Sequence, residues 1–157
     1  MKKAIFFDRD NTLIYDKGYM YKTEDLKFFP KTFETLKILR DQGFIFFIIS
    51  NQSGIGRGYF EEKDMHNFHD YMEKQLNKEG IHFEEYLYCP HAPSQNCDCR
   101  KPSPKIINEA IERHQIDRSQ SYMVGDKKSD VDAGINAGIT PIQVFEDKIE
   151  DILNKIK

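Results

Sequence analysis

Residues 4–13 read AIFFDRDNTL, so four apolar residues run directly into two aspartates, Asp8 and Asp10. The apolar run predicts a buried β-strand from about Lys3 to Asp8. A buried strand seldom ends in paired carboxylates, because removing a carboxylate from water is costly unless a cation or hydrogen bonds compensate. The pair suits a magnesium site in which one carboxylate is a nucleophile and the other transfers protons. The alternative is a strand followed by a solvated, Asp-rich turn.

Along the rest of the chain, apolar runs alternate with segments of helical periodicity. Further strands are predicted at Phe44 to Ser50, Phe83 to Tyr88, Tyr122 to Gly125 and Ile139 to Phe145. Helices are predicted around Leu36, around Phe68, from about Ser103, before Gly138 and from Ile149 to Ile156. This alternation predicts an α/β fold, a three-layer, doubly wound parallel sheet with helices on both faces. Because no interdomain linker interrupts the pattern, we expect residues 1–157 to form a single domain.

The composition is that of an ordinary globular chain of 157 residues, with 39% hydrophobic residues, 31% charged residues and a net charge of -3. No apolar run approaches the roughly 20 residues of a membrane span. No secretion signal is expected before the first strand. The negative charge disfavours a nucleic-acid partner, because phosphate backbones call for a basic face. We expect a cytoplasmic monomer without a membrane or nucleic-acid partner.

Three cysteines and one histidine lie close together in the sequence, as Cys89, His91, Cys97 and Cys99. They are a complete tetrahedral ligand set for zinc with no position left for water, which indicates a structural zinc site in a reducing compartment. The alternatives are three unrelated thiols or a disulfide. A bond between Cys97 and Cys99 would be strained and would leave Cys89 unpaired. Zinc would fix the backbone that carries the two cations directly after Cys99.

Other polar groups fall where predicted strands end. Ser50 and Asp126 would meet Asp8 at one rim, because the carboxyl ends of parallel strands form the ligand crevice of such sheets. The loop from Ser50 to Gly54 offers a hydroxyl and N–H groups for a phosphoryl oxygen, or it is a polar turn with a helix cap. Asp126 and Asp130 lie four residues apart. One of them could bind a metal while the other supports a neighbouring lysine. The alternative is an aspartate that caps a helix, with the nearby charges solvated.

Together these motifs resemble those of the haloacid dehalogenase superfamily of phosphotransferases. The four motifs of the superfamily are matched, in order, by Asp8 to Thr12, by Ser50 and Asn51, by Lys101, and by Gly125 and Asp126 with Asp130. The resemblance covers nearly the whole chain. Asn11 stands where the superfamily usually has glycine, and asparagine tolerates a left-handed backbone better than most residues.

The resemblance implies a role for each motif. Asp8 would attack phosphorus and form an aspartyl-phosphate, while Asp10 would protonate the leaving alkoxide and then take a proton from water. Magnesium would be held by the carboxylates of Asp8 and Asp126 and by the backbone carbonyl of Asp10. Lys101 and Ser50 would stabilise the charge of the transferring phosphoryl group.

The cysteine loop narrows the resemblance to a branch without a cap domain, which contains phosphatases of heptose 1,7-bisphosphate and of histidinol phosphate. Residues 16–19 and 51–58 look like the corresponding segments of the heptose enzymes. The branch implies a small phosphorylated sugar as substrate, contacted by Asp16, Lys17, Gly18, Tyr19, Asn51, Gln52, Ser53, Arg57, Arg100 and Lys127. Histidinol phosphate is the alternative substrate. A 3′-phosphorylated DNA end and a phospho-receiver module without turnover are more distant alternatives.

The remaining histidines are His66, His69, His82 and His114, which fall on predicted helices or turns. We expect them at solvated surface or helix-face positions, outside the site. The Met and Phe stripe of the second helix is expected to be core.

Overall fold

The computed structural model describes residues 1–145 and 148–156. Its strands are β1 (Ala4–Phe7), β2 (Ile45–Asn51), β3 (Phe83–Cys89), β4 (Tyr122–Gly125) and β5 (Thr140–Gln143). They form one parallel sheet in the order β3-β2-β1-β4-β5. The chain builds one side of the sheet with β2 and β3 and the other side with β4 and β5. The strand order reverses between β1 and β4, so a ligand crevice forms outside the carboxyl ends of these two strands.

Helices follow the strands along the chain. The α-helices are α1 (Thr32–Asp41), α2 (Ser53–Gly56), α3 (Glu62–Lys78), α4 (Lys105–His114) and α5 (Lys128–Asn136), and 3-10 helices lie at Thr23–Asp25, Pro93–Gln95, Arg118–Gln120 and Ile149–Asn154. The predicted terminal helix is therefore of the 3-10 type, with Ile149 and Ile152 buried. The fifth strand is shorter than predicted, because β5 ends at Gln143 and Phe145 is exposed. Within residues 1–145 and 148–156, no helix combines the length and the apolar character needed to cross a membrane.

Both faces of the sheet are covered, which confirms the predicted three-layer α/β architecture. Successive residues of a strand point to opposite faces. Ile5 and Phe7 belong to a buried cluster that includes residues of α1 and α3. Ala4 and Phe6 belong to a second buried cluster with residues of α4 and α5. Each fully buried phenylalanine contributes about 1.5–3 kcal/mol, so these two clusters hold β1 rigidly at the centre of the sheet.

The longest helix, α3, buries the predicted apolar stripe and one histidine in addition. Met65, Phe68, Met72 and Leu76 are all fully buried. His69 is only 3% exposed, so of the two expected kinds of position, solvated surface and helix face, it occupies a covered helix face. Its position explains the burial, because residues three and four apart share a face of a helix and His69 follows Met65 by four residues and precedes Met72 by three.

A tight turn follows β1 and presents the two aspartates. Asn11 has a φ of 60°, which is the left-handed conformation that asparagine adopts more readily than most residues. The Asn11 N–H donates to the Ile14 carbonyl at 2.9 Å, and the Leu13 N–H donates to the Arg9 carbonyl at 3.1 Å. Asparagine thus replaces glycine at this position without preventing the turn.

Candidate active site

A cleft of about 520 Å³ opens at the carboxyl ends of the central strands. It brings together most of the residues predicted from the sequence, namely Asp8, Asp10, Asp16, Gly18, Tyr19, Asn51, Gln52, Ser53, Arg100, Lys101 and Lys127. Gly54, Ser129 and Asp130 complete the lining. Asp8, Gln52 and Lys127, which lie just after the ends of β1, β2 and β4, therefore converge on one site, as expected for parallel strands.

The centre of the cleft is a buried lysine held between two carboxylates. The Lys101 ammonium donates to Asp8 Oδ1 at 2.8 Å and to Asp130 Oδ1 at 2.5 Å. Its third donor reaches the Ile49 carbonyl at 2.9 Å. Lys101 is 4% exposed and Asp130 is 1% exposed. Buried charged groups are tolerated only when they are paired and hydrogen-bonded, so these groups fix one another in place.

Burial shifts the acid–base behaviour of this pair. It raises the pKa of Asp8 to about 8, although the positive charge of Lys101 opposes the shift. Burial alone would lower the pKa of Lys101, but the charges of Asp8 and Asp130 outweigh it and raise that pKa. Lys101 is therefore a permanent cation. Asp8 needs a further positive charge nearby to be the carboxylate at neutral pH.

Three carboxylates form a candidate site for that positive charge. Single oxygen atoms of Asp8, Asp126 and Asp130 all lie within 4.8 Å of one another. Asp130 is already occupied, because one of its oxygens accepts from Lys101 and the other from the Lys127 N–H at 3.0 Å. Asp126 Oδ1 is buried and has no hydrogen-bond partner among the described residues. An orphaned carboxylate oxygen beside Asp8 fits a magnesium ion, which prefers oxygen ligands.

Asp10 lies on the same cleft and is held by its neighbour. Arg9 Nε donates to Asp10 Oδ1 at 2.8 Å, and Arg9 Nη2 donates to Asp10 Oδ2 at 3.1 Å. The Asp10 side chain is 25% exposed, whereas that of Arg9 is completely buried. Asp10 can thus meet a ligand in the cleft while its carboxylate is fixed from behind.

The last residue of β2 holds the backbone of Lys101 in place. The Lys101 N–H donates to Asn51 Oδ1 at 3.0 Å, and Asn51 Nδ2 donates to the Lys101 carbonyl at 3.4 Å. The Gln52 amide donates to Ser50 Oγ at 2.6 Å. Asn51 therefore spans the gap between β2 and the segment that carries Lys101.

The four predicted zinc ligands form one cluster. Ligand atoms of Cys89, His91, Cys97 and Cys99 all lie within 4.8 Å of one another. The Cys89 and Cys97 sulfurs are 3.5 Å apart, and His91 Nδ1 is 3.3 Å from the Cys99 sulfur. All three thiols are free, so no disulfide competes with a metal. Three thiols and one imidazole nitrogen are a donor set that fits tetrahedral zinc.

This cysteine loop packs directly against the rim of the cleft. The Gln52 N–H donates to the Cys89 carbonyl at 2.7 Å, and the Gly56 N–H donates to the Pro90 carbonyl at 2.9 Å. A Cβ atom on Gly56 would lie 2.4 Å from the Ala92 nitrogen. Glycine is therefore required there for the close approach of the two loops.

Apart from the zinc ligands, four predicted site residues are not part of the cleft lining. One is Asp126, although a carboxylate oxygen of Asp126 lies within 4.8 Å of those of Asp8 and Asp130. Ser50 is buried, and its hydroxyl accepts from Gln52 instead of facing the cleft. Lys17 points away and pairs with Asp25 at 2.8 Å. Arg57 is exposed directly after α2, where its Nε lies 3.4 Å from Ser53 Oγ. The family resemblance implied that Lys17 and Arg57 contact the substrate, but the orientation of each side chain depends on its partners in the folded chain.

Several residues of the site were not assigned from the sequence. Gly54 and Ser129 line the cleft beside predicted residues, and the motif around Asp126 could have indicated Ser129. Asp130 was expected to support a neighbouring lysine, and it accepts from the ammonium of Lys101, which lies 29 positions away in the sequence. Arg9 and its contact with His69 carry no sequence signal, because the two residues are 60 positions apart.

Known proteins of similar sequence share one description. A protein of Helicobacter pylori (strain ATCC 700392 / 26695) named D-glycero-beta-D-manno-heptose-1,7-bisphosphate 7-phosphatase is 45% identical over 138 residues, covering 87% of this chain and 80% of the relative. A Campylobacter jejuni protein named as the 7-phosphatase of the alpha anomer is 40% identical over 149 residues, covering 94% of this chain and 86% of the relative. Residues 98–151 match the HAD-hydrolase-like family.

A solved structure shows the same similarity in three dimensions. The crystal structure of D,D-heptose 1,7-bisphosphate phosphatase from B. bronchiseptica, complexed with magnesium and phosphate, superimposes with a TM-score of 0.85 and 28% sequence identity. The match covers 98% of this chain and 86% of that chain. The magnesium and phosphate in that crystal accord with the carboxylates and cations that line the cleft here.

Proposed function

Because this chain belongs to the heptose-1,7-bisphosphate 7-phosphatase family of haloacid dehalogenase-like hydrolases, we propose that it removes the 7-phosphate of D-glycero-D-manno-heptose 1,7-bisphosphate. The observation that carries the proposal is the buried Asp8–Lys101–Asp130 triad in a cleft lined by Asp10 and Arg100. The triad supplies a nucleophile and a fixed cation for phosphoryl transfer. The rest of the cleft supplies polar groups for a phosphorylated sugar.

The nucleophile in this proposal is Asp8. An Asp8 carboxylate oxygen attacks phosphorus in line with the scissile bond, the bond from phosphorus to the sugar oxygen breaks, and an aspartyl-phosphate forms. Water then attacks this intermediate and releases phosphate. Lys101 lies 2.8 Å from Asp8 Oδ1, so its charge is in place to stabilise the transferring group without rearrangement.

Asp10 is the proton donor and acceptor. It gives a proton to the sugar oxygen as the phosphorus–oxygen bond breaks, and it takes a proton from the water that attacks the aspartyl-phosphate. Its place on the cleft next to Asp8, together with its fixed carboxylate, supports this role. A general acid of this kind accelerates such a step by about 10²–10⁴-fold.

Two metals complete the proposed enzyme. The carboxylates of Asp8 and Asp126 and the backbone carbonyl of Asp10 would hold magnesium, which when bound supplies positive charge that offsets repulsion between Asp8 and the phosphate. A structural zinc would be held by Cys89, His91, Cys97 and Cys99, whose donor atoms lie within 4.8 Å of one another. Zinc would keep the cysteine loop rigid against the cleft.

Specificity would come from the short loops that line the cleft. Asp16, Gly18 and Tyr19 come from the loop after β1, and Arg100 comes from the end of the cysteine loop. Arg100 Nη1 is buried without a hydrogen-bond partner among the described residues. A guanidinium recognises a phosphate with two parallel hydrogen bonds, so Arg100 suits the second phosphate of a bisphosphate. Asn51, Gln52, Ser53 and Lys127 would contact the remaining groups.

Some expectations from the sequence stay predictions. They are the cytoplasmic location, the monomeric state, the single domain over residues 1–157, the absence of a nucleic-acid partner, and the substrate-binding roles of Lys17, Ser50 and Arg57.

A substrate panel tests the proposal. Heptose 1,7-bisphosphate, histidinol phosphate and a 3′-phosphorylated DNA end are compared at equal magnesium concentration. We expect the highest kcat/KM for the bisphosphate and background turnover for Asp8→Asn. Arg100→Ala should raise KM for the bisphosphate more than KM for an aryl phosphate. A wild-type preference for histidinol phosphate would refute the assigned substrate, and full activity of Asp8→Asn would refute the covalent mechanism.

A further inference from the structure

Arg9 is a charged side chain with no exposure to solvent. Burying a guanidinium is costly unless its donors are paired. The partners of Arg9 therefore indicate which groups it positions. Two donors bind the carboxylate of Asp10. Two more reach the Met20 carbonyl at 3.1 Å and His69 Nε2 at 3.0 Å, and Arg9 Cζ lies 4.7 Å from the centroid of the Phe68 ring.

The contact between Arg9 and Asp10 fixes both the position and the orientation of the Asp10 carboxylate. Nε and Nη2 of Arg9 each meet a different oxygen of Asp10, at 2.8 Å and 3.1 Å. A planar guanidinium bound in this way restricts the rotation of the carboxylate, which a single ammonium cannot do. Asp10 is therefore held along one orientation relative to the cleft.

The contact with His69 fixes Arg9 in turn. A guanidinium only donates hydrogen bonds, so His69 Nε2 is the acceptor and the proton of the neutral ring is on Nδ1. His69 is 3% exposed, and its ring stacks on Tyr86 at 4.9 Å between centroids. Helix α3 thus presents a rigid acceptor to Arg9 from a position outside the cleft.

The contact with Met20 links the same guanidinium to the substrate side of the cleft. Met20 is 2% exposed and directly follows Gly18 and Tyr19, which line the cleft. A displacement of Arg9 would move this loop and Asp10 relative to each other. Both groups lie where the leaving sugar of the proposed reaction would be.

We propose that Arg9 and His69 are positioning residues for leaving-group protonation, with Arg9 aiming the carboxylate of Asp10 and His69 holding Arg9. This inference rests on the proposed phosphatase function and on the role of Asp10 within it. Neither residue lines the cleft among the described residues. Their effect on the reaction passes through Asp10 and the loop that ends at Met20.

Leaving groups of different basicity separate this role from a purely structural one. A sugar alkoxide needs a proton as it leaves, whereas a nitrophenolate does not. The constant kcat/KM reports the first phosphoryl transfer, so it is measured for heptose 1,7-bisphosphate and for p-nitrophenyl phosphate. His69→Leu removes the acceptor at similar volume, and His69→Gln can restore an acceptor oxygen. His66→Leu is the control, because His66 is exposed on the same helix.

His69→Leu and Arg9→Lys should each lower kcat/KM for the sugar phosphate by about 10–100-fold and that for the aryl phosphate by no more than about threefold. His69→Gln should recover most of the loss, and His66→Leu should resemble the wild type. Melting temperatures are measured in parallel, so that activity is compared between folded proteins. If His69→Leu does not fold, the comparison is made with Arg9→Lys.

Equal losses on both substrates in a folded variant would overturn the positioning role, and so would unchanged activity. A wild-type protein that does not prefer heptose 1,7-bisphosphate would refute the proposed substrate, and not the positioning role of Arg9 and His69. In that case the wild type itself would prefer another phosphate ester, and the comparison would be repeated with that alkyl ester against p-nitrophenyl phosphate.

Discussion

Replacing Asp8 with asparagine should make the metal-free protein more stable at neutral pH. Burial raises the pKa of Asp8 from 3.8 to about 8, with Lys101 opposing the shift. A carboxyl group with a raised pKa binds its proton more tightly in the folded state. The stability that it contributes is therefore complete below about pH 4 and is lost as the pH rises toward 8. The asparagine of Asp8→Asn does not titrate and can still accept from Lys101.

The size of the effect follows from the width of this pH window. Each pH unit between the two pKa values costs about 1.4 kcal/mol of unfolding free energy. From about pH 5 to about pH 7, Asp8 should thus remove about 3 kcal/mol. For a chain of this length, that loss corresponds to a decrease in Tm of about 6–12 °C. The same decrease should be missing in Asp8→Asn.

Thermal unfolding in the presence of a chelator, measured across this pH range, provides the assay. The difference between wild type and Asp8→Asn isolates the contribution of Asp8, because all other groups titrate in both proteins. Asp41→Asn is the control, since that side chain is 70% exposed. Magnesium favours the charged form of Asp8, so it should raise the Tm of the wild type more than that of Asp8→Asn. If the Tm of the two proteins changed with pH in the same way, the argument that burial raises the pKa of Asp8 would be refuted.

Three further changes test other parts of the site. Asp10→Asn should lower kcat/KM for a sugar phosphate by about 10²–10⁴-fold. Magnesium should still bind in calorimetry, because only the backbone carbonyl of Asp10 is expected to contact the metal. Loss of magnesium binding would contradict this expectation. Purified protein should contain about one zinc per chain, and Cys97→Ser should lower both zinc content and Tm; a zinc-free protein of full stability and activity would exclude the structural zinc. Gly56→Ala should push the cysteine loop away from Gln52, because the added Cβ would meet the Ala92 nitrogen at 2.4 Å. We expect a higher KM for phosphate esters, measured by steady-state kinetics. An unchanged KM would show that the loop contact does not affect the cleft.

The sequence predicted the sheet more accurately than the orientation of individual side chains. The strand Tyr122–Gly125 and the buried stripe of α3 were predicted correctly, because apolar runs and periodicity are local properties of the chain. The sequence left open whether His69 is solvated or covered, because a polar residue beside an apolar stripe does not show on its own which of the two applies. Its partner is Arg9, which lies in the turn after β1, 60 positions earlier.

The sequence by itself determined which polar groups end each strand and which residues can serve as zinc ligands, because both follow from neighbouring residues. Only the tertiary structure decided how these groups pair. Lys101 lies between Asp8 and Asp130, which are 93 and 29 positions away from it, and the Ser50 hydroxyl meets Gln52 and not the cleft. Such pairings depend on the strand order and on how each helix packs on the sheet. Long-range packing of this kind has no local periodicity in the sequence, so it becomes visible only in the folded chain.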